Sequence, residues 1–193
     1  KICAVVLAAG QGTRMRSKTP KFLHPLGGQP LLEYSLRLAE SLGGHQPVIV
    51  IGHGAEAVRE RFGSRAAFAL QEQQLGTGHA VLAAEALLRD RGGLVVVIFA
   101  DMPLLKAETL RHLVEMQLQN SGPVSMLTVE LPDPHGFGRV VRAENGAVQA
   151  IVEEAVATPV QKAIRELNAS VYCLRAEWLW GALHRIRVSP KGE

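Results

Sequence analysis

The chain has 193 residues, of which 47% are hydrophobic and 20% are charged. This balance supports a substantial core and excludes an intrinsically disordered chain. The net charge of +3 and the aromatic content of 5% argue against a nucleic-acid-binding protein, which carries a broadly basic face and aromatic residues for base stacking. Cys3 and Cys173 lie in apolar runs, so we expect buried thiols rather than a disulfide framework.

Short apolar runs alternate with helical patterns through the first part of the chain, about residues 1–120. Strands are predicted over 2–8, 47–51, 66–70 and 93–100. Helices are predicted over 30–42, 55–62, 77–90 and 106–119. Such alternation is typical of an α/β protein with a Rossmann-like, doubly wound, mostly parallel sheet. Its ligand is expected at the carboxyl ends of the strands.

The second part, about residues 121–193, follows a different pattern. We predict a strand over 124–130, a hairpin, a short helix opened by Thr158-Pro159, a strand over 167–174 and a helix over 177–187. The hairpin strands, 139–142 and 147–152, flank Glu144-Asn145-Gly146, for which we predict a type I′ turn. With no signal peptide and no apolar run of about 18 residues, we expect a cytoplasmic protein.

A glycine-rich, basic loop follows the first strand. Gly10 and Gly12 lie at its start, and Arg14 and Lys21 follow before the first acidic residue, Glu33. Glycine lets backbone N–H groups approach an anion closely, and basic side chains bind phosphate oxygens. The spacing matches neither the dinucleotide-binding fingerprint nor the P-loop. We therefore predict a polyphosphate-binding loop of another design, the alternative being an ordinary connection with a solvated basic face.

Polar residues follow two further strands of the first part. Gln71 and Gln74 carry amides that suit the polar edge of a base, although they are also consistent with exposed loop glutamines. Asp101 directly follows the most apolar strand and should face the ligand crevice. A carboxylate at that position suits Mg²⁺ bound together with phosphates. The alternative is that Asp101 caps the turn at Pro103.

The second part contains one group of residues suited to a sugar. Glu153 and Asn168 offer partners for hydroxyl groups, and Gly136 and Gly138 would let a ligand approach the backbone. The alternative is that both glycines are turn residues. Three histidines without metal-ligand spacing are interpreted as structural: His24, His79 and His135.

Several separated motifs together resemble those of sugar-phosphate nucleotidyltransferases. They occupy residues 7–14 with Lys21, 71–79, 99–104, 136–139, 151–153 and 166–168. More narrowly, the chain resembles the uridyltransferase (pyrophosphorylase) domain of the bifunctional bacterial enzymes that make UDP-N-acetylglucosamine. The element Gln-x-x-Gln-Leu-Gly-Thr-Gly-His-Ala, which begins at Gln71, is the most specific of these motifs. The resemblance implies a nucleotide-diphospho-sugar transferase fold over residues 1–193, with a sugar-binding hairpin in its second part.

The resemblance also implies an activity and roles for individual residues. UTP and N-acetylglucosamine 1-phosphate would give UDP-N-acetylglucosamine and pyrophosphate with Mg²⁺, a step in cell-wall precursor synthesis. The implied catalytic residues are Arg14, Lys21 and Asp101, of which Asp101 is the metal ligand. The implied nucleotide-binding residues are Leu7, Ala8, Ala9, Gly10, Gly12, Gln71, Gln74, Gly76 and Thr77. The implied contacts on the sugar side are Phe99, Ala100, Gly138, Glu153 and Asn168.

The sequence departs from the family pattern on the sugar side. Phe99-Ala100 stands where the family has Tyr-Gly, and Asn168-Ala169-Ser170 stands where it has Asn-Thr-Gly. The family also continues beyond this point with a segment that supplies an asparagine as second metal ligand, and then with a trimer-forming β-helix acetyltransferase domain. We therefore expect a domain that is incomplete at its C-terminus, monomeric or weakly associated, and without that acetyltransferase domain.

The expected partners are UTP and a sugar 1-phosphate, with no nucleic acid and no membrane. Two other functions stay open. One is a related nucleotidyltransferase that uses another sugar phosphate or nucleotide, as in the molybdenum-cofactor type. The other is a nucleotide-binding module without catalysis.

Overall fold

The structure is a computed structural model that describes residues 1–10, 12, 15–17, 19–52 and 54–186. These residues form two compact units. The first unit contains Lys1–Ser125 and the chain from Tyr172 onwards, and the second contains Met126–Val171. Among the described residues, no helix has the length and apolar character needed to cross a membrane.

Through the first part of the chain, helices separate the strands of the main sheet as the apolar pattern predicts. The strands are β1 (Ile2–Ala8), β2 (Pro25–Leu26), β3 (Gln29–Pro30), β4 (Val48–Ile51), β5 (Ala67–Leu70), β6 (Leu94–Phe99), β7 (Val124–Glu130), β8 (Arg139–Arg142), β9 (Val148–Val152) and β10 (Glu166–Arg175). The helices are α1 (Leu31–Glu40), α2 (Ala55–Phe62), α3 (Thr77–Ala83), α4 (Glu85–Leu88), α5 (Ala107–Gln119), α6 (Pro159–Lys162) and α7 (Ala176–Leu183).

A parallel sheet forms the centre of the first unit. Its strand order is β5-β4-β1-β6, and all three of these pairings are parallel. The end of β10, Tyr172–Arg175, pairs with β6 in the antiparallel direction. On one face of β1, Cys3, Val5 and Leu7 pack into a core with Val81 of α3 and Trp180 of α7. Helix α1 also contacts β1. The predicted Rossmann-like, mostly parallel α/β fold is confirmed.

The predicted helix over 77–90 is wrong in its extent. The helix is interrupted at Ala84, where α3 ends and α4 begins, and a short 3₁₀ turn over Arg89–Arg91 follows. The N–H of Ala84 lies against the carbonyl groups of Val81 and Leu82, and its side chain is fully buried in the core. Tertiary packing at this position outweighs the high helix propensity of alanine.

The second unit contains the predicted hairpin. β8 and β9 pair in the antiparallel direction, and β10 pairs with both β8 and β7. The predicted type I′ turn is wrong, because Gly146 is the only residue of the Glu144-Asn145-Gly146 turn with a positive φ. The Gly146 N–H donates to the carbonyl of Ala143, which is typical of a three-residue hairpin loop that ends in a left-handed glycine.

A group of ion pairs ties α1 to the segment after α2. Glu33 is only 7% exposed and accepts hydrogen bonds from Arg65 and Arg37, while Arg65 also pairs with Glu40. Burial alone would raise the pKa of Glu33, but the hydrogen bonds from Arg65 and Arg37 outweigh it, so the pKa is lowered. Charge on Glu33 therefore stabilises the fold above its unfolded-state pKa of about 4.3.

We expect Glu33→Gln to lower the free energy of unfolding at pH 7 by about 1–3 kcal/mol, because the partly buried guanidinium group of Arg65 loses a charged acceptor. The stabilisation by Glu33 is lost as the pH falls through its lowered folded-state pKa, so the variant should lose less stability on acidification than the wild type. Urea denaturation from pH 7 to pH 3 measures both effects. The control is Glu40→Gln, at a more exposed carboxylate on the same arginine. Equal effects of the two substitutions would contradict this interpretation.

Candidate active site

A cleft in the first unit gathers residues from several strand ends. It has a volume of about 350 Å³. The residues that line it are Leu7, Ala9, Gly10, Lys21, Phe22, Gln71, Gln74, Gly76, Thr77, Ala80, Phe99 and Asp101. All except Phe22 and Ala80 are among the residues singled out from the sequence. Sequence reasoning missed these two because an apolar side chain beside a polar loop carries no local sign of a ligand.

Close packing shapes the loop after β1. Gly12 has a φ of 62°, and a Cβ atom there would lie 2.6 Å from Cβ of Lys21. Gly54, with a φ of 74°, leaves room for Pro20, since a Cβ there would lie 2.5 Å from Cγ of that proline. At Gly52 a Cβ would lie 2.7 Å from the carbonyl oxygen of Ala9. These glycines therefore let the loop fold back so that Lys21 lines the cleft.

Lys21 and Asp101 form an ion pair inside the cleft. Nζ of Lys21 lies 2.5 Å from Oδ2 of Asp101, and the two side chains are 29% and 36% exposed. The ammonium group also lies 5.4 Å from the centre of the Phe22 ring, within the range of a cation–π contact. Because both charged groups remain partly open to solvent, an incoming anion or cation can reach them.

Both glutamines are hydrogen-bonded within the protein, although Gln71 is buried whereas Gln74 is exposed. Gln71 is 5% exposed, and its Nε2 donates to the carbonyl of Gly76 and lies 3.1 Å from Nδ1 of His79. Nε2 of Gln74 donates to the carbonyl of Ala9 at 2.7 Å. The segment after β5 is thus tied to the end of β1. His79 has a structural position, as interpreted from the sequence. Gly76 is the N-cap residue of α3, which begins at Thr77.

The second unit brings Gly138, Glu153 and Asn168 together. The carbonyl of Gly138 accepts the Asn168 N–H at 2.9 Å. A Cβ atom at Gly138 would lie 2.9 Å from Oε1 of Glu153, so glycine at this position makes room for that carboxylate. Gly136 differs, since its φ is 84° and a Cβ there would meet nothing within 4 Å. The turn-residue alternative therefore fits Gly136 and does not fit Gly138.

The sequence model of the MobA-like NTP transferase domain matches residues 4–170, which is most of the chain. The chain belongs to this family of NTP transferases. Family membership agrees with the resemblance to sugar-phosphate nucleotidyltransferases and identifies the chain as a nucleotidyltransferase domain.

Curated relatives of this NTP transferase are named bifunctional protein GlmU. The protein of Halalkalibacterium halodurans is 46% identical over 95% of this chain and 40% of its own length. That of Heliobacterium modesticaldum is 47% identical over 96% of this chain and 41% of its own length. The predicted resemblance to bifunctional bacterial enzymes is confirmed, and the chain spans about two fifths of the length of these relatives.

A solved structure has the same fold as this NTP transferase. The crystal structure of UDP-glucose pyrophosphorylase complexed with UDP-glucose aligns with a TM-score of 0.77 and covers 99% of this chain and 82% of that one. At 19% sequence identity this likeness concerns the fold alone. It agrees with the predicted nucleotide-diphospho-sugar transferase type of sheet.

The structure places the remaining predicted residues away from the cleft surface or outside the described residues. Ala8 and Ala100 are buried, at 3% and 0% exposure, and do not line the cleft. Gly12 packs on the stem of Lys21 instead of lining the cleft. Arg14 lies outside the described residues, so its predicted catalytic role stays a prediction.

Binding of a metal ion in this cleft would require oxygen atoms from the bound ligand as well as from the protein. The described part of the NTP transferase contains no group of three or more His, Cys, Asp and Glu side chains able to hold a metal. Asp101 is the one acidic residue that lines the cleft there. A single carboxylate still fits Mg²⁺, which commonly binds one or two carboxylates, water and substrate phosphates. The donor set is therefore compatible with Mg²⁺ that arrives with a polyphosphate.

Ser170 has a strained backbone beside the second-unit cluster. Its φ is 58°, a left-handed conformation that disfavours residues other than glycine, and its N–H donates to Oδ1 of Asn168 at 2.9 Å. Serine stands here at a position where the resembled family has glycine. The Asn168 side chain is therefore held in place at a cost in backbone strain.

We expect Ser170→Gly to raise the free energy of unfolding by about 1 kcal/mol, because glycine adopts this conformation without a steric penalty. The matched control is Ala169→Gly, at a strand position without positive φ, which should lower stability by about 0.5–1 kcal/mol. Chemical denaturation of the two variants measures the difference. A loss of stability in both variants would contradict the strain at Ser170.

Proposed function

We propose that this domain joins UTP to a sugar 1-phosphate, N-acetylglucosamine 1-phosphate in particular, and releases pyrophosphate. The observation that carries the proposal is the arrangement of the cleft, where Lys21, Asp101 and the amides of Gln71 and Gln74 surround one cavity beside a glycine-rich loop. The relatives named GlmU support the choice of this sugar nucleotide.

The glutamine end of the cleft suits uracil. Nε2 of Gln71 donates to the carbonyl of Gly76 and lies beside Nδ1 of His79, so the amide nitrogen faces groups within the protein. The Gln71 amide oxygen is therefore the group that can accept the N3–H of uracil. Gln74 uses one described hydrogen bond, to Ala9, and has a second amide hydrogen for a uracil carbonyl.

The charged end of the cleft suits the triphosphate. Lys21 would donate to phosphate oxygens, and Asp101 would hold Mg²⁺ together with those phosphates. The Lys21–Asp101 ion pair would then separate, since each charge gains a new partner of opposite sign. Each of the two protein charges would keep a partner of opposite sign in this exchange, which limits the cost of separating the ion pair.

The proposed reaction is an in-line displacement at the α-phosphorus. A phosphate oxygen of the sugar 1-phosphate forms the new bond to this phosphorus, and the bond to the β-phosphate oxygen breaks as pyrophosphate leaves. Positioning and charge neutralisation carry most of the catalysis in such transfers, so no covalent nucleophile on the protein is required. Mg²⁺ would supply a Lewis acid that stabilises the developing charge. Lys21 would neutralise charge on the phosphates from a fixed position.

The second-unit cluster suits the sugar. The carboxylate of Glu153 accepts hydrogen bonds from hydroxyl groups or from an acetamido N–H, and the amide of Asn168 both donates and accepts. The Glu153 carboxylate lies directly beside the Gly138 backbone, so one ligand group could contact both residues. We therefore assign sugar recognition to Gly138, Glu153 and Asn168.

Pyrophosphate release from a panel of substrates tests this proposal. UTP, CTP, GTP and ATP are each combined with N-acetylglucosamine 1-phosphate or glucose 1-phosphate and Mg²⁺. We expect turnover with UTP and N-acetylglucosamine 1-phosphate to exceed every other pair by about tenfold or more, the worth of one well-placed hydrogen bond. A preference for GTP or CTP would favour the molybdenum-cofactor type. Binding of UTP without turnover of any sugar phosphate would favour a non-catalytic module.

We expect Lys21→Met to weaken UTP binding by roughly 10–100-fold, since a charge-assisted hydrogen bond to phosphate contributes about 1.5–3 kcal/mol. Isothermal titration with UTP and Mg²⁺ measures the change. The control is Lys106→Met, at an exposed lysine that does not line the cleft. Unchanged affinity in the Lys21 variant would refute a phosphate contact.

We expect Asp101→Asn to abolish Mg²⁺-dependent turnover while the fold is retained, because an amide oxygen is a much weaker ligand for Mg²⁺ than a carboxylate. Steady-state kinetics over a Mg²⁺ titration, with circular dichroism for the fold, measure this. The control is Asp90→Asn, at an exposed acid in the 3₁₀ turn. Full activity of the Asp101 variant would show that the metal assignment is wrong.

A further inference from the structure

The second unit contains a buried arginine that the proposed reaction does not use. Arg139, the first residue of β8, is 2% exposed and is the one lysine or arginine that is buried among the residues the structure describes. Burying a guanidinium group is costly unless its N–H groups are satisfied. The partners of Arg139 therefore indicate what the buried charge holds in place.

The Arg139 guanidinium connects three separate segments of the second unit. Nη1 donates to the carbonyl of Phe137 and, at 3.2 Å, to Oε2 of Glu154, while Nη2 donates to the same carboxylate oxygen at 3.2 Å. Nε donates to the carbonyl of Lys162 at 3.4 Å. One side chain thus holds the turn before β8, the segment after β9 and the end of α6.

The Glu154 carboxylate, which accepts from Arg139, has two further partners in the turn before β8. Its Oε2 also accepts the backbone N–H of Gly136, and its Oε1 lies 3.1 Å from Nδ1 of His135. The Gly136 N–H and then the Arg139 guanidinium lower the pKa of Glu154, so it stays ionised as an acceptor. The residues so fixed, Phe137 and Glu154, are direct chain neighbours of Gly138 and Glu153.

We propose that Arg139 and Glu154 are positioning residues for sugar recognition, which hold Gly138 and Glu153 in the spacing that the sugar 1-phosphate requires. This inference rests on the proposed function, since it concerns the assigned sugar-binding cluster. The side chains of Arg139 and Glu154 fix the positions of Gly138 and Glu153 and make no contact with the ligand themselves. A single guanidinium group sets the distance between the two segments because it bonds to both of them.

Glu154→Gln is the variant that tests the proposal. It keeps the shape of the side chain and one acceptor oxygen but removes the charge that binds Arg139 and the Gly136 N–H. We expect the KM for N-acetylglucosamine 1-phosphate to rise roughly tenfold or more, the effect of losing one charge-assisted hydrogen bond. The KM for UTP should stay within about twofold of the wild type, because the nucleotide cleft lies in the first unit.

A second variant and a matched control complete the experiment. Arg139→Lys keeps the charge but cannot bond to Phe137 and Glu154 together, and should raise the same KM selectively. The control is Arg142→Lys, which alters another arginine–glutamate pair, between Arg142 of β8 and Glu166 of β10, where the arginine side chain is 44% exposed. It should leave both KM values near those of the wild type. Hydrogen exchange at the Gly136 amide should be faster in Glu154→Gln than in the control.

Three results would overturn the proposal. One is an unchanged KM for the sugar phosphate in Glu154→Gln. The others are a parallel rise of both KM values and unfolding of this variant, because either would indicate a general structural role for the pair. If Arg139→Lys does not fold, Glu154→Gln alone decides. Absence of sugar-phosphate turnover in the wild-type chain would instead be a failure of the proposed function. Exchange at Gly136 would still decide whether the pair holds this segment.

Discussion

The ion pair between Lys21 and Asp101 is the constraint on which the candidate active site depends. β1 and β6 are parallel neighbours, so the segments that leave their carboxyl ends emerge at the same edge of the sheet. One segment leads to Lys21 and the other begins with Asp101, and the two charges meet at 2.5 Å. Partly buried charges are costly without partners, and here they partner each other. A bound phosphate would replace Asp101 as the partner of Lys21, and Mg²⁺ would replace Lys21 as the partner of Asp101.

Close backbone packing keeps this pair in place. The stem of Lys21 fits against Gly12, Pro20 fits against Gly54, and a Cβ at Gly52 would collide with the carbonyl of Ala9. Each contact leaves no room for a side chain on the glycine. The described residues of the basic loop therefore pack closely against one another and against the segment that follows β4. This packing gives Lys21 a defined position. In the second unit, a Cβ at Gly138 would lie 2.9 Å from the flexible carboxylate of Glu153.

Local patterns in the sequence predict the sheet and most of its helices, because apolar runs such as β1 are buried on both faces. They do not predict the break at Ala84, which depends on packing in the core. The Asn145-Gly146 pair correctly predicts a hairpin but not its turn type, since the same pair fits a three-residue loop. Lys21 and Asp101 are identifiable as candidates, yet their pairing joins residues 80 positions apart. Arg139 belongs to one of the sequence motifs, but its burial is not predicted from the sequence because arginine is usually exposed.

A crystal structure of this chain with UTP and Mg²⁺ would test the central claim most directly. The account predicts that Nζ of Lys21 leaves Asp101 and lies within about 3.2 Å of a phosphate oxygen, the outer limit of an ordinary hydrogen bond. It also predicts Mg²⁺ between the Asp101 carboxylate and the phosphates, with uracil against Gln71 and Gln74. A bound nucleotide with the Lys21–Asp101 pair still intact and its phosphates elsewhere would contradict the account.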